Sequence, residues 1–266
     1  MEPYEFVDKR NRFIFRHGRI AQPIKDMIPL HIHNSFELLY IVSADATYGV
    51  EDRRYKLKKD DLIIIRPNIY HYIQVDSPQE YERYNILFDA ALLGNIDLLP
   101  EELDVVNCRH IPYLGELFQK MEYYYEMLGG DSFGELLPLL LQELVYNLSI
   151  SGTGSKKNQY ATVHPIVSGA LRQINEGLFQ PIKISEIAEA QYVTESYLHR
   201  LFQQELKTTP KKYIAEKRLL AAQMLLLQGM KPTKVYQECG FLDYSAFYRS
   251  YCRYFGYPPS QEGSCL

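Results

Sequence analysis

Hydrophobic positions along the chain follow two different periods. From Phe13 to Phe88 they come in short runs, at Phe13 to Phe15, Phe36 to Val42, Tyr48 to Val50, Leu62 to Ile65, Tyr70 to Val75 and Tyr84 to Phe88. Clusters of Pro, Asn, Asp and Ser separate the runs, which predicts a small all-β antiparallel barrel or sandwich. After Tyr113 the period becomes helical. Tyr113 to Leu128 places Leu114, Leu117, Phe118, Met121 and Tyr125 on one stripe. Gly129-Gly130 ends that helix, Asp131 is a cap for the next, and a broad leucine stripe follows through Leu136, Leu137, Leu140, Leu141, Leu144, Val145 and Leu148. Pro138 is expected to kink or restart this second helix. Internal packing and a dimer interface both account for the stripe.

The last hundred residues repeat one small unit, helix, turn and helix, at Ile184 to Gln204 and again at Val235 to Phe255. In the first copy Thr194 is a predicted N-cap, and Leu198, Leu201 and Phe202 form the inward stripe. That leaves Ser196, His199, Arg200 and Gln203 facing out. In the second copy Gly240 and Phe241 close the first helix, and Asp243 or Ser245 caps the next. Phe247, Tyr251 and Phe255 form its buried stripe, leaving Tyr244, Ser245, Tyr248, Arg249 and Arg253 outside. Helix faces with these groups carry the donors that read base edges in a major groove and grip phosphates. Pro210 opens a proline-free run to Gln228; roughly 18 residues make a rod of about 27 Å, which suits two reading helices in successive major grooves, about 34 Å apart.

Charge and composition divide the chain in the same way. Before Ala161 there are 17 Lys and Arg against 24 Asp and Glu, a net of −7; from Ala161 onward there are 12 against 9, a net of +3. The expected organisation is a first domain over 1–150, a flexible linker over 151–160 containing Ser151-Gly-Thr-Gly-Ser-Lys-Lys-Asn-Gln159, and an all-α domain over 161–266. The basic excess is mild, so DNA affinity would rest on placed contacts more than on bulk charge. Cys108, Cys239, Cys252 and Cys265 form no CxxC pair, and neither a secretion signal nor a membrane-spanning run is visible. A cytoplasmic home and no membrane partner are the expectations.

Residues 181 to 261 resemble the tandem DNA-binding domain of the AraC/XylS family of transcription regulators. The likeness rests on Gly240-Phe241, Asp243, Ser245, Phe247, Arg249, Phe255-Gly256 and Pro259, with Arg218-Leu219 in the connecting helix. Three positions depart from the family pattern. Tyr192 stands where the first turn often has glycine, Tyr236 where a small alanine is usual, and Pro232 where an apolar residue is usual; these predict a second copy that packs more loosely or holds DNA less tightly than the first.

Within the β-rich half, His31 and His33 alternate onto one face of a predicted strand, Glu37 follows four residues on, and His71 lies beyond Pro67. Three imidazoles and a carboxylate are a ligand set suited to iron, manganese or nickel. This half also resembles the cupin fold, in which these four residues match the metal-ligand positions, while two usual turn glycines are replaced near Ala44-Asp45-Ala46 and at Asp60-Asp61. A hydrogen-bonded structural cluster, an effector pocket and a working metal site all remain open, and the effector pocket, with no cofactor, is the expectation carried forward. An effector with several hydroxyls, such as a sugar, would suit these groups. Family resemblance thus implies a non-enzymatic, effector-responsive regulator acting on double-stranded DNA as a homodimer, with RNA polymerase as a further partner. The rival readings are a metal-dependent cupin enzyme with a helical interaction tail and an effector-independent DNA-binding protein.

Overall fold

The computed structural model describes residues 4–8, 13–25, 28–93, 99, 104–151 and 160–262. It divides into two compact units, one built from residues 1–161 apart from the short stretches 32–34 and 51–53, the other from Thr162–Leu266 with those stretches. The expected linker lies, except for its ends at Ser151 and Tyr160, outside the described residues, as does Cys265.

The first unit is β-rich. Strands β1 (Tyr4–Val7), β2 (Phe13–Ile20), β4 (Phe36–Ser43), β7 (Asp61–Ile65), β9 (Tyr81–Phe88) and β10 (Val105–Asn107) form one sheet in the order β1-β2-β9-β4-β7-β10. The other sheet contains β3 (Ile28–His31), β5 (Ala46–Val50), β6 (Arg53–Lys56), β8 (His71–Val75) and the pair β11 (Ala161–Thr162), in the order β11-β6-β5-β8-β3. Alternation decides which side chain goes where. On β4, Leu39 and Ile41 enter the cluster that holds Tyr48, Ile63, Ile73 and Tyr81. Leu38 and Tyr40 point the other way, into the cluster shared with the helices. At Asp60, where a turn glycine is usual, the backbone adopts φ 68° and the Tyr40 hydroxyl donates to Asp60 Oδ1 at 2.8 Å. Aspartate is among the few non-glycine residues that tolerate this region, so the turn survives the substitution.

Helices α1 (Leu114–Leu128) and α2 (Gly130–Ser151) cover that second face. Leu137, Leu140, Leu141, Leu144, Val145 and Leu148 lie in one core with Phe13, Phe15, Leu38, Ile64 and Ile86 of the sheet. The leucine stripe is therefore internal packing, because a sheet face of phenylalanine, leucine and isoleucine has to be covered. Pro138 neither ends nor restarts α2, which runs through it unbroken.

The second unit is all-α: α3 (Pro165–Glu176), α4 (Ile184–Ala190), α5 (Glu195–Leu206), α6 (Pro210–Leu227), α7 (Pro232–Glu238) and α8 (Tyr244–Phe255). Helix α3, which the repeat pattern did not include, packs on α4 and α5. In the second copy, Val235, Cys239, Phe247 and Tyr251 form a core with Leu219, Ala222 and Leu226 of α6. Pro232 sits at the first turn of α7, where its missing N–H costs nothing. Tyr236 packs its ring 5.8 Å from that of Tyr244. Neither departure opens the second core, whose Val235, Phe247 and Tyr251 are fully buried.

Both turns between paired helices use the left-handed region, at Tyr192 (φ 57°) and Gly240 (φ 74°). A β-carbon on Gly240 would meet the Phe179 carbonyl oxygen at 2.7 Å and the Arg218 guanidinium carbon at 3.1 Å. Gly240→Ala should thus destabilise the second unit by about 1–3 kcal/mol, read as an earlier midpoint in urea unfolding. Leu144→Ala should cost about 2–5 kcal/mol in the first unit; a near-neutral effect would show that the stripe is not core.

Candidate functional site

Two sets of polar side chains are displayed. The first lies on α5 and α8. Thr194 caps α5, its hydroxyl accepting from the Tyr197 N–H at 3.3 Å, and Asp243 caps α8, accepting from the Ala246 N–H at 2.7 Å. Each cap satisfies an otherwise unpaired amide and fixes where the helix begins. That start sets which residues face inward: Leu198, Leu201 and Phe202 on α5, Phe247 and Tyr251 on α8.

Opposite these stripes Ser196, Arg200 and Gln203 are exposed and His199 is half-buried. The Arg200 guanidinium lies over the Tyr197 ring, 4.8 Å from its centroid, which restricts the side chain. On α8, Ser245, Tyr248, Arg249 and Arg253 are exposed. Tyr244, expected on the same outer face, is half-buried, its ring 6.0 Å from Phe247. It belongs as much to the packing as to the surface, because an aromatic ring beside Tyr236 gains more by lying flat on the core than by standing in water. Outside the expected set, Lys207 at the C-terminal end of α5, Lys211 in the first turn of α6 and Lys231 and Lys234 at the start of α7 are also exposed. Periodicity could not single them out, since they lie outside the reading helices; their charge was the one available signal.

The second set gathers where β3 ends and where β4 and β8 begin. Ligand-capable atoms of His31, His33, Glu37 and His71 all lie within 4.8 Å of one another. His31 ends β3 and is paired in register with His71 on β8, their rings 4.1 Å apart. His33 is not on the strand, as alternation predicted. The β3 pairing is irregular between Ile28 and His31, the strand stops there, and His33 approaches from the connection that follows. Glu37 comes from β4 in the opposite sheet and is 7 % exposed, against 2 % for His71.

Hydrogen bonds hold these groups in place. His31 Nδ1 donates to the Pro29 carbonyl at 2.8 Å and His71 Nδ1 to the Ile69 carbonyl at 2.9 Å. Asn85 on β9 donates its side-chain amide to Glu37 Oε1, and His71 Nε2 lies 3.4 Å from Glu37 Oε2. Tyr81, also on β9 and 1 % exposed, has its phenol pKa pushed up, first by burial and further by the Glu37 carboxylate, with Arg83 opposing. Neither Asn85 nor Tyr81 was visible in the sequence as part of the site, because both sit in an ordinary alternating strand.

Both halves of the chain match known families. A profile described as AraC-like ligand binding domain matches residues 18–149, and one described as helix-turn-helix domain matches residues 187–262. The chain belongs to the AraC family of transcription regulators. This AraC-family chain is 28% identical over 141 residues to the HTH-type transcriptional regulator ArgR of Pseudomonas aeruginosa, an overlap of 51% of this chain and 43% of that protein. It is 34% identical over 107 residues to the HTH-type transcriptional regulator GbdR of the same species, covering 40% and 29%. The chain thus spans less than half the length of these two relatives. Against the HTH-type transcriptional activator RhaR of Escherichia coli O1:K1 / APEC it is 21% identical over 265 residues, 89% of this chain and 87% of that one. No helix among the described residues is long and apolar enough to cross a membrane.

Proposed function

We propose that the chain is a sequence-specific regulator of transcription whose affinity for double-stranded DNA responds to a small molecule held in its β-rich unit. The observation that carries this reading is the pair of capped helices, α5 and α8, each showing polar side chains outward and each packed in the same all-α unit as the 18-residue α6. Ser196, His199, Arg200 and Gln203 of α5 face one major groove, and Tyr244, Ser245, Tyr248, Arg249 and Arg253 of α8 face the next. Exposed lysines at the helix ends supply phosphate contacts, which fix position without reading sequence. The effector sits against His31, His33, Glu37 and His71; a polyol such as a sugar is one chemistry these groups suit. A cytoplasmic location and a contact with RNA polymerase belong to the same reading, and catalysis does not.

Dimerisation also belongs to it, though not through the leucine stripe. The exposed large apolar residues of the helical hairpin are Tyr123, Met127 and Leu128 on α1 and Leu139, Tyr146 and Ile150 on α2, and Lys120 pairs with Glu143 across the two helices at 3.4 Å. On α2 these positions follow the spacing of one helix face. A second copy presenting the same face would cover them in an isologous contact.

Footprinting of the full chain on genomic fragments tests the DNA reading; binding that is uniform along every fragment would overturn it. On a protected site, Arg200→Ala should lose about 1–3 kcal/mol of affinity and relax preference at one base position. Arg249→Ala should lose a comparable amount, since the second core is as closely packed as its burial indicates. Tyr146→Glu together with Ile150→Glu should give a folded monomer in sedimentation; a surviving dimer would place the interface elsewhere.

A further inference from the structure

We propose that Arg83 on β9 makes the β-rich unit selective for a small carboxylate, and that this molecule carries a hydroxyl group some atoms away from its charge. The proposal deepens the reading above by naming the charge of the effector, and rests on that reading only in taking this molecule to be the effector.

Alternation along β9 sets the geometry. Tyr84, Ile86 and Phe88 enter the core shared with the helices, whereas Tyr81 enters the cluster that holds Tyr48 and Ile73 of the other sheet. Arg83 and Asn85, two and four residues beyond Tyr81, share its face. Strand pairing puts Ile41 of β4 on one side of Arg83 and Gly18 of β2 on the other. Ile41 is fully buried, and a β-carbon on Gly18 would stand 3.2 Å from Arg83 Nη1, so the guanidinium uses the room that the glycine leaves. Its next neighbour is the Tyr81 ring, with Cζ 5.0 Å from the centroid. None of the three offers it a negative charge.

Arginines beside it are treated differently. On β2, Arg16 pairs with Glu5 at 2.9 Å and Arg19 with Glu80 at 2.7 Å. Arg83 enters no ion pair among the described residues, and its Nε is withdrawn from water without a hydrogen-bond partner there. A half-buried guanidinium with no counter-charge is costly to the fold, and its planar fork matches a carboxylate or a phosphate. Glu37 decides between these two. Its carboxylate is near enough to push the Tyr81 phenol pKa up, so a dianion at Arg83 would meet a further negative charge, while a carboxylate balances the one positive charge present.

The second group follows from Asn85. Its amide nitrogen donates to Glu37 Oε1, which leaves Oδ1 as a buried acceptor, and Oδ1 has no partner among the described residues. An acceptor asks for a donor, which a hydroxyl supplies. Tyr81 Oη is likewise buried without a partner there, and its phenol can donate to a carboxylate oxygen. Positions two apart on a strand are separated by about 7 Å, so the charge and the hydroxyl of the ligand stand several bonds apart.

The test probe is 4-hydroxybutyrate, which has both groups at this spacing; 1,4-butanediol lacks the charge, butyrate lacks the hydroxyl, and inorganic phosphate is the dianion. The full chain is titrated with each to about 50 mM at constant ionic strength, followed by calorimetry and by the arginine Nε–H signals in nitrogen-15 spectra. 4-Hydroxybutyrate should saturate, bind at least tenfold more tightly than the diol or phosphate and about threefold more tightly than butyrate, and move the Arg83 signal. Arg83→Gln should lose at least tenfold in affinity, and Arg83→Lys should not restore it, because an ammonium lacks the fork. Without probe, Arg83→Gln should unfold in urea no earlier than the wild-type chain; an earlier midpoint would assign Arg83 to the fold and overturn the proposal. It is also overturned by no saturation in the wild-type chain, by tighter binding of phosphate, or by equal binding in Arg83→Gln, and butyrate equal to 4-hydroxybutyrate removes the hydroxyl. Footprints on genomic DNA, taken with probe and with matched chloride, separate the two claims. No saturation with footprints intact defeats the anion site and leaves the regulator. Saturation with no footprint under either condition keeps the anion site and defeats the regulator.

Discussion

Arg218, midway along α6, donates Nε to the Leu178 carbonyl at 2.8 Å, one terminal nitrogen to the Gln180 carbonyl at 2.7 Å and the other to the Gly240 carbonyl at 2.7 Å. The first two acceptors lie on the approach to α4; the third lies in the turn between α7 and α8. One planar fork therefore fixes both helical repeats to the helix that joins them. Lysine could not replace it, since an ammonium is a point charge that does not span three acceptors in one plane. Hydrogen bonds to a charged donor contribute about 1.5–3 kcal/mol each, comparable with the cost of losing a whole side chain from a core this small. Gly240 completes the arrangement because any side chain there would occupy the space of the Phe179 carbonyl and of the guanidinium itself.

The two units solve opposite problems. In the all-α unit, Ser196, Arg200 and Gln203 of α5 and Ser245, Tyr248, Arg249 and Arg253 of α8 face outward over small apolar cores, so these positions can vary without disturbing the fold. In the β-rich unit, polar residues are enclosed: Glu37, His71 and Asn85 are all under 9% exposed, and they sit on strands whose other inward positions include Leu39, Ile41 and Ile73. Enclosing these groups is costly unless each is oriented and paired. The backbone carbonyls of Pro29 and Ile69 and the Asn85 amide supply that orientation. Stability there depends on the same contacts that shape the site.

Local signals in the sequence were enough for the reading helices. Thr194 was legible as a cap and Asp243 as one of two candidates beside Ser245, and the stripes of Leu198, Leu201 and Phe202 and of Phe247, Tyr251 and Phe255 have the helical period; all are found except that Phe255 is only half-buried. Less legible were elements set by distant partners. Strands β1, β3, β6 and β10 are three or four residues long and owe their existence to the strand beside them. The four members of the enclosed cluster were found as residue types, but His33 was placed on a strand that ends two residues earlier. The leucine stripe had the right period and two possible neighbours, and nothing in a periodicity says whether the neighbour is a sheet of the same chain or another copy. Asn85, Tyr81 and the three acceptors of Arg218 are determined by tertiary position alone.

Strand β3 is four residues long, lies at the edge of its sheet and pairs with β8 alone through an irregular register. Such an element has few neighbours to hold it, and its amides open to solvent at far lower free energy than those of β4, which is paired on both sides. Yet it carries His31. Any occupant that grips His31 together with Glu37 and His71 ties a short edge strand to two strands paired on both sides, and opening β3 then requires releasing the occupant. Amide hydrogen exchange at Leu30 and His31 would consequently record occupancy directly, falling from the rate of a fraying edge toward that of the core.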